Sequence, residues 1–401
     1  MSFLILALSA LSVVIWLVLL GWRGGFWQCD QVLERSKEDQ GGGGEYPTVW
    51  AVIPARNEAE LLPVTLRSLL QQDYPGQLQV ILVDDHSTDG TATVAQATAA
   101  ALGQVEQLTV LAAEPLPPGW SGKLWAMDQG VQKALTASPD YILLTDADIC
   151  HDRSQLWRLV TQARHHDLAM ASVMVRLRCE SRWEKLLIPA FVFFFQKLYP
   201  FRWVNDSHRS TAAAAGGCIL IRRDVLEQIG GLQTIRQALI DDCALAQAVK
   251  GKRGNAQSMT SPQLSRNIWL GLSDLTCSLR PYPSLQTVWD MVARTAYTQL
   301  NYSPLLLLGT LVGMTMIYLM PPIALAMGTG LGNAMLVLTG LAGWLLMTLA
   351  YYPTVQFYRC SLLFAASLPA IALLYTLMTI DSAWRHWQGR GGAWKGRVYP
   401  D

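Results

Sequence analysis

The sequence predicts an α/β domain with a mostly parallel sheet, joined to membrane-spanning helices at both ends. Charged residues make up only 15% of the 401 residues, whereas soluble domains carry about 25%. The deficit is confined to three blocks without Lys, Arg, Asp or Glu, namely residues 1–22, 295–358 and 360–380. Between the first two blocks, short apolar runs alternate with helical stretches from residue 48 onwards, a pattern typical of βαβ units.

The composition also disfavours several classes of protein. The net charge is +1, from 31 Lys and Arg against 30 Asp and Glu, so no basic excess exists to neutralise nucleic-acid phosphates. We therefore expect no nucleic-acid partner. The seven cysteines are scattered and show no Cys-x-x-Cys spacing, which disfavours a disulfide framework or a zinc site and suits a reducing compartment.

The first apolar block is predicted to anchor the chain in a membrane. Residues 3–20 read FLILALSALSVVIWLVLL, and a spanning helix needs about 20 apolar residues. A cleaved signal peptide is the alternative, but no basic region precedes the run, and Trp22-Arg23 is typical of an interfacial anchor. We expect residues 1–22 to be an uncleaved transmembrane anchor and residues 23–47, with their four consecutive glycines, to be a flexible linker.

The C-terminal block, residues 301–380, is predicted to contain about three spans. These lie near 304–327, 332–353 and 361–380, with a kink at Pro321-Pro322 and a turn at 329–333. The tail, residues 381–401, is basic, which favours the cytoplasm. Three spans after a cytoplasmic domain would leave the tail outside, so a re-entrant segment, a further crossing or an exception to the charge rule all remain open.

The central region is predicted to be a βαβ array. Strand-like runs are VWAVIP at 49–54, LQVILV at 78–83, QLTVLA at 107–112 and YILLT at 141–145, separated by helical stretches at 58–72, 90–102 and 122–137. In open sheets of this kind, ligands bind at the carboxyl ends of the strands. Polar residues that directly follow a strand are therefore the candidates for chemistry.

Acidic residues follow three of these strands. The sequences are PARNE at 54–58, DDHSTDGT at 84–91 and DAD at 146–148. Crowded carboxylates need a cation, protonation or a hydrogen-bonding ligand, and Asp-x-Asp suits a hard divalent cation that also takes phosphate oxygens. Alone, Asp-x-Asp is often a solvated turn and Asp89-Gly90 a helix cap. The prediction of a cation site therefore depends on the ordered set, in which each of the three segments directly follows a strand.

This ordered set, with a Gly-Lys pair opening the third helix, resembles the inverting nucleotide-sugar glycosyltransferases of family two, which have a GT-A fold. The resemblance covers about residues 48–300. The anchor, the C-terminal spans and the closing WKGR at 394–397 resemble the hopene-associated glycosyltransferases of bacteria and, more distantly, ceramide glucosyltransferases. The resemblance implies a multi-pass protein of the bacterial cytoplasmic membrane, with its catalytic domain facing the cytoplasm.

The resemblance implies a UDP-sugar donor and a divalent cation, Mg²⁺ or Mn²⁺. A lysine at a helix start suits a diphosphate site, although Lys123 could also be a surface residue after a proline-rich loop. The cation would be held by Asp148, the more favoured ligand, and Asp146. The residues implied to bind the donor are Pro54, Ala55, Arg56, Glu58, Asp84, Asp85, Lys123, Asp146 and Arg294.

The resemblance also implies a general base in the acidic pair Asp241-Asp242, at Asp242. An inverting transfer needs a carboxylate to take the proton of the acceptor hydroxyl; the alternative is that the pair only caps a helix running to Val249. Gly216 and Gly217 close the segment 212–217, which resembles the small-residue wall of an acceptor site or is an ordinary buried strand. Arg294 lacks the partners of the family's Gln/Arg-x-x-Arg-Trp motif, which weakens a prediction of polymer synthesis.

Residues 183–203 are predicted to form an amphipathic helix in the headgroup plane. Their apolar core, 186–195, is too short to span a bilayer, and aromatic and basic residues flank it. The alternative is a buried core helix. If the helix lies at the membrane surface, we expect Trp183, Phe194 and Trp203 on the acceptor side.

These inferences predict a membrane-bound inverting glycosyltransferase that moves a sugar from a UDP-sugar to a lipid hydroxyl, on a hopanoid or a related lipid. Its partners would be the donor, the acceptor lipid and the bilayer. The alternatives are a polyprenyl-phosphate or polysaccharide-type glycosyltransferase, a non-catalytic nucleotide-sugar binder and a transporter with a regulatory domain. The sugar and the oligomeric state are not predicted.

Overall fold

The computed structural model describes residues 2–34, 45–251 and 266–390, and the backbone of two short strands near the C-terminus. The helices are α1 (Ser2–Trp22), α2 (Leu62–Leu70), α3 (Thr91–Ala101), α4 (Gly122–Leu135), α5 (Gln155–His165), α6 (Arg182–Leu198), α7 (Phe201–Val204), α8 (Arg223–Gln228), α9 (Asp241–Gly251), α10 (Leu285–Ala293), α11 (Pro304–Met314), α12 (Met320–Leu331), α13 (Ala334–Phe357), α14 (Leu363–Ala366) and α15 (Leu368–Trp387).

The strands are β1 (Val49–Ala55), β2 (Leu78–Asp84), β3 (Leu108–Ala112), β4 (Tyr141–Thr145), β5 (Ile149–Cys150), β6 (Met170–Arg176), β7 (Cys218–Arg222), β8 (Ile268–Ser278), β9 (Ala393–Trp394) and β10 (Arg397–Val398). An eight-stranded sheet has the order β3-β2-β1-β4-β7-β6-β8-β5. The predicted parallel pairing is confirmed from β1 to β4. Beyond β4 the sheet is mixed, because β7 runs antiparallel to both β4 and β6.

Apolar cores cover both faces of the sheet. Successive residues of a strand point to opposite faces, and β1 shows this with Val52 in one core and Ile53 in the other. Val52 packs with Leu124 and Val131 of α4, whereas Ile53 lies in the core that contains Leu66 of α2. Burial on both faces explains why the strands are continuous apolar runs, and it leaves the strand ends as the place for polar groups.

Three helices among the described residues are long and apolar enough to cross a bilayer. They are α1, the continuous helix 304–331 and α13. Helix 304–331 contains a π-helical turn at Thr315–Leu319, just before the predicted kink at Pro321-Pro322. The predicted third C-terminal span, near 361–380, has no counterpart among these three, because the helix there, α15, begins at Leu368 and carries charged residues near its end.

The candidate spanning helices pack closely against one another. A Cβ atom on Gly340 of α13 would lie 2.6 Å from the backbone nitrogen of Leu325 and 2.8 Å from the carbonyl oxygen of Pro321. Only glycine fits this contact between α12 and α13.

The domain is also connected to the C-terminal helix. Trp289 of α10 donates a hydrogen bond to Asp381 of α15 at 2.7 Å.

The first part of the predicted flexible linker is an ordered segment of the fold. Residues 23–34 pack against the domain, with Phe26 and Leu33 buried. The backbone nitrogen of Leu33 donates to the carbonyl of Leu272 at 2.9 Å, and that of Leu272 donates to Gln31 at 2.7 Å. The prediction of a free linker is therefore wrong for this part, because it pairs with β8. The glycines at 41–44 and residues 395–396 of the WKGR segment lie outside the described residues.

Helix α6 is an internal helix, the alternative that the sequence left open. Ser181 and Glu184 form a capping box at its start, and the nitrogen of Glu184 donates a hydrogen bond to Ser181 Oγ at 3.1 Å. Leu187 and Phe193 are fully buried, and the Phe193 ring lies 5.2 Å from that of Tyr351 in α13. The prediction of an apolar face turned toward lipid headgroups is wrong, because protein covers both sides of the helix.

Candidate active site

A cavity of about 500 Å³ opens at the carboxyl ends of β1 and β4. It brings together residues from stretches of the chain that lie far apart in sequence. The charged residues that line it are Glu58, Lys123, Asp146, Asp148, Asp241, Asp242, Arg280 and Arg294. Seven of these eight residues were predicted from the sequence; Arg280 was not.

The loops after β1 and β2 hold each other in place. Asn57 adopts a left-handed backbone conformation, with φ of 51°, and its side-chain oxygen accepts a hydrogen bond from the nitrogen of Thr88 at 2.8 Å. Asp89 accepts hydrogen bonds from the nitrogens of Ala59 and Thr91, both at 3.0 Å. Asp89 therefore supports the first turn of α3 from the residue before its N-cap, Gly90, and these bonds hold the loop that carries Glu58.

The residues implied to bind the nucleotide part of the donor lie at the strand ends beside the cavity. Arg56 donates from Nη1 to the backbone oxygen of Asp85 at 2.6 Å. Asp84 Oδ1 accepts a hydrogen bond from the nitrogen of Ser87 at 3.2 Å. Pro54 lines the cavity itself, whereas Ala55 is buried in the strand. Their role in donor binding stays a prediction.

Lys123 connects two of the acidic segments. Ser121 caps α4 by accepting a hydrogen bond from the nitrogen of Leu124, which places Lys123 in the first turn. Its Nζ lies 3.0 Å from Asp146 Oδ1 and 3.1 Å from Asp241 Oδ2. Burial lowers the pKa of Lys123, but the neighbouring carboxylates raise this pKa by a larger amount. The net pKa is therefore raised, and the ammonium stays charged. The alternative of a surface lysine is excluded.

Asp242 lies where a general base is expected. Its Oδ2 accepts a hydrogen bond from the nitrogen of Gly216 at 2.8 Å, and its Oδ1 accepts one from the nitrogen of Cys243 at 2.7 Å. Burial, followed by the charge of Asp241, raises the pKa of Asp242 to about 6, although Lys123 and the two backbone donors oppose the shift. A carboxyl group with a pKa near the operating pH suits general base catalysis.

The glycines that precede β7 leave room beside this carboxylate. A Cβ atom on Gly216 would lie 3.5 Å from both Asp242 Oδ2 and Lys123 Nζ. One on Gly217 would lie 3.0 Å from Val175. Side chains here would therefore enter the space between Asp242 and Lys123 or press on the wall of the cavity. Both glycines line the cavity as predicted.

Arg280 holds the second carboxylate of the Asp-x-Asp segment. Its Nε donates to Asp148 Oδ2 at 2.8 Å, and its Nη2 donates to Glu58 Oε1 at 2.6 Å. Arg280 follows β8, which joins the sheet beside β6 and β5. The only sequence signal for it is a basic residue just after a strand, and β8 was not among the predicted strands.

The residues present fit a divalent cation that is shared with a diphosphate. Five carboxylates and three cationic side chains line the cavity, so a diphosphate would add negative charge to a site that is already negative. Among the described residues, no group of three or more His, Cys, Asp or Glu side chains is placed to hold a metal ion. Asp146 and Asp148 could supply one or two oxygens and a diphosphate the others, which is the pattern of Mg²⁺ sites.

Apolar side chains line the same cavity. Phe191 and Phe195, one turn apart on α6, contribute to this lining together with Met174, Leu177 and Leu239. The cavity therefore combines charged and apolar side chains in its lining, and Asp242 is among the charged ones.

The aromatic residues predicted on the acceptor side lie elsewhere. Phe194 packs its ring 4.9 Å from that of Tyr375, because neighbouring helix residues point about 100° apart. Trp203 lies under the guanidinium of Arg23, at 4.9 Å, and Trp183 is partly exposed at the start of α6. None of these three lines the cavity, whereas Phe191 and Phe195 of the same region do. The prediction that the three belong to the site is therefore wrong, and the part of the cavity that holds an acceptor stays a prediction.

Comparisons with known proteins agree with this geometry. Residues 50–230 match the model of glycosyl transferase family 2. A probable glycosyltransferase, YdaM, of Bacillus subtilis is 26% identical over 206 residues, 50% of this chain and 46% of the relative. An undecaprenyl-phosphate mannosyltransferase of Micrococcus luteus is 34% identical over 125 residues, 31% of this chain and 47% of the relative. The chain spans less than half the length of these curated relatives.

A third relative matches a shorter segment. The 4,4'-diaponeurosporenoate glycosyltransferase of Staphylococcus aureus is 38% identical over 98 residues, 24% of this chain and 23% of the relative. Among solved structures, the mannosyltransferase PcManGT from Pyrobaculum calidifontis, in complex with GDP-Man and Mn²⁺, superposes with a TM-score of 0.50 at 19% identity, over 96% of this chain and 98% of that one. Residues 50–230 therefore match a glycosyl transferase family 2 domain, and the fold is the GT-A α/β fold.

Proposed function

We propose that this protein is an inverting glycosyltransferase that moves a sugar from a UDP-sugar to the hydroxyl group of a membrane lipid. The observation that carries the proposal is one cavity whose lining combines charged groups, Asp242 among them, with apolar side chains. A nucleotide diphosphate with a cation suits the charged groups and a lipid suits the apolar side chains. The resemblance of the whole layout to hopene-associated glycosyltransferases favours a hopanoid or related acceptor.

In this mechanism, the donor and the acceptor meet beside Asp242. The carboxylate of Asp242 takes the proton of the acceptor hydroxyl, and the oxygen attacks the anomeric carbon from the side opposite the diphosphate. The bond between that carbon and the diphosphate oxygen breaks, and the configuration inverts. Asp146 and Asp148 would hold a Mg²⁺ or Mn²⁺ ion, whose chemistry is to offset the charge of the leaving diphosphate.

The residues around Asp242 favour a hydroxyl acceptor over a phosphate acceptor. A polyprenyl phosphate is already an anionic nucleophile and needs no general base, but it needs cations to bind it. Three cationic side chains line the cavity, and Lys123 and Arg280 are held in ion pairs with carboxylates, which leaves Arg294. A polyprenyl-phosphate acceptor held by Arg294 is the second candidate, supported by the similarity to the Micrococcus luteus enzyme.

The arrangement of the candidate spans supports a cytoplasmic domain. One spanning helix precedes the domain and two follow it. If all three cross the bilayer, the residues after α13 return to the side on which the domain lies. Arg385 and Arg390 follow there, and basic residues favour the cytoplasmic side. With two C-terminal spans instead of three, the basic tail and the domain lie on the same side of the membrane.

The test of the proposed function is transfer from labelled donors to lipid. The purified full-length protein, in lipid nanodiscs, is incubated with radiolabelled UDP- and GDP-sugars, a divalent cation and a hopanoid-containing bacterial lipid extract. We expect label from a UDP-sugar in a lipid that survives mild acid, as a glycoside does. An acid-labile product would indicate a glycosyl phosphate and support the second candidate. Nucleotide binding without any labelled lipid would contradict both.

The rate of transfer is expected to rise with pH through a midpoint near 6. The carboxyl group of Asp242, with its pKa of about 6, accepts a proton only after losing its own. Lowering the pH from about 7 to about 5 therefore protonates most of the base and reduces the rate about tenfold. Initial rates at saturating substrates measure this, and a profile that is flat across this range would contradict the role of Asp242.

Phe191 and Phe194 are expected to have different roles although both lie on α6. Replacing Phe191 with Ala removes part of the apolar wall and is expected to raise the KM for the lipid acceptor about tenfold, since a buried aromatic contact contributes about 1.5 kcal/mol or more. Replacing Phe194 with Ala is expected to lower stability by about 3 kcal/mol, since the ring packs on Tyr318 and Tyr375. Equal KM values for both variants would contradict this assignment.

A further inference from the structure

Arg280 holds two carboxylates that come from different strand ends. Its guanidinium bonds Asp148 through Nε at 2.8 Å and Glu58 through Nη2 at 2.6 Å. The two carboxylate side chains are only 11% and 9% exposed. Solvent therefore screens these ion pairs weakly. The arginine side chain is itself 32% exposed and lines the cavity, so it is able to reach a ligand there.

The same Asp148 is the proposed ligand of a divalent cation. A Mg²⁺ or Mn²⁺ ion lies about 2.0–2.2 Å from its carboxylate oxygens, so its charge would come within a few ångströms of the guanidinium. The two like charges repel at this distance. The cation must therefore compete with Arg280 for Asp148, and at Asp146 it must share the carboxylate with Lys123, which pairs with Oδ1.

We propose, on the basis of the proposed function, that Arg280 is a placeholder for the cation. Without donor it balances the charges of Asp148 and Glu58. When the donor arrives, Arg280 leaves Asp148 and donates to the diphosphate, for which a guanidinium has matching geometry. The freed Asp148 then takes the cation. Cation and nucleotide therefore bind cooperatively, and each strengthens the binding of the other by the same factor.

Calorimetry with Mn²⁺ tests this proposal without any sugar transfer. The full-length protein in nanodiscs is titrated with Mn²⁺ alone and then in the presence of saturating UDP. In the wild type we expect weak binding of Mn²⁺ alone and tighter binding with UDP. In Arg280→Gln we expect Mn²⁺ alone to bind about tenfold more tightly, and UDP to add less than it does in the wild type.

Arg294→Gln is the matched control. Arg294 lines the same cavity but holds neither Asp148 nor Glu58, so its loss is expected to change the Mn²⁺ affinity without nucleotide by less than about twofold. Should Arg280→Gln fail to fold, Arg280→Lys replaces it. The lysine cannot hold both carboxylates as the guanidinium does, so we expect tighter Mn²⁺ binding there too. Unchanged Mn²⁺ affinity in the Arg280 variants, or an equal increase in Arg294→Gln, would overturn the proposal.

These measurements separate the role of Arg280 from the proposed function. If the wild type transfers sugar to lipid but the Arg280 variants have unchanged Mn²⁺ affinity, only the proposed role of Arg280 is overturned. Cooperative binding of Mn²⁺ and UDP that disappears in Arg280→Gln, in a protein that transfers no sugar, would overturn only the proposed transfer.

Discussion

Replacing Asp242 with Asn is expected to abolish sugar transfer while the protein still folds and binds UDP. The amide cannot take a proton, and the loss of a general base reduces the rate by a factor on the order of 10²–10⁴. Asparagine keeps the size of the side chain and can still accept one of the two backbone hydrogen bonds, from Gly216 or Cys243. The measurements are the initial rate of transfer, the melting temperature and the UDP affinity.

Asp241→Asn is the matched control, because it changes the neighbouring carboxylate. Asp241 pairs with Lys123 at 3.1 Å, so its carboxylate is engaged by a cation, and its loss is expected to lower the rate less than that of Asp242. Full transfer by Asp242→Asn would contradict the assignment of the base. A severe loss in Asp241→Asn together with a mild one in Asp242→Asn would exchange the roles of the two residues.

Replacing Lys123 with Met is expected to have the second-largest effect. The change leaves Asp146 and Asp241 without their shared cation beside Asp242. Removing one partner of a buried ion pair costs about 3 kcal/mol of stability. The site would also become more negative, so we expect UDP affinity to fall more than about tenfold. Thermal unfolding and calorimetry with UDP measure the two effects.

Lys133→Met provides the comparison on the same helix. Lys133 lies exposed in the last turn of α4, so its loss is expected to change stability by less than about 0.5 kcal/mol. Because both variants replace a lysine of α4 with methionine, the difference between them measures what is specific to Lys123. UDP affinity that is as high in Lys123→Met as in Lys133→Met would contradict the role of Lys123.

The first half of the fold is predictable because its strands are buried on both faces. Such strands are continuous apolar runs, and the runs at 49–54 and 141–145 agree with the observed β1 and β4 to within one residue. The chemistry follows from the same rule, because the carboxyl ends of parallel strands lie at one edge. For this reason Glu58 and Asp146, far apart in sequence, could be assigned to one site.

What the sequence could not predict depends on long-range packing. Arg280 reaches the site only because β8 joins the sheet beside β6 and β5, and no local pattern specifies that neighbour. Residues 23–34 contain no strong periodicity, yet Leu33 pairs with Leu272. The apolar core of α6 does not indicate which parts of the protein pack against it. Whether Phe191 or Phe194 lines the cavity therefore depends on the helices around α6.

The most direct test of the central claim is the anomeric configuration of the product. The claim is that a donor and a lipid acceptor meet in one cavity and react there by a single displacement with Asp242 as base. The glycolipid formed from a donor of known configuration is purified, and the coupling of its anomeric proton is measured by NMR. We predict a configuration opposite to that of the donor. A product that retains the donor's configuration would contradict the account.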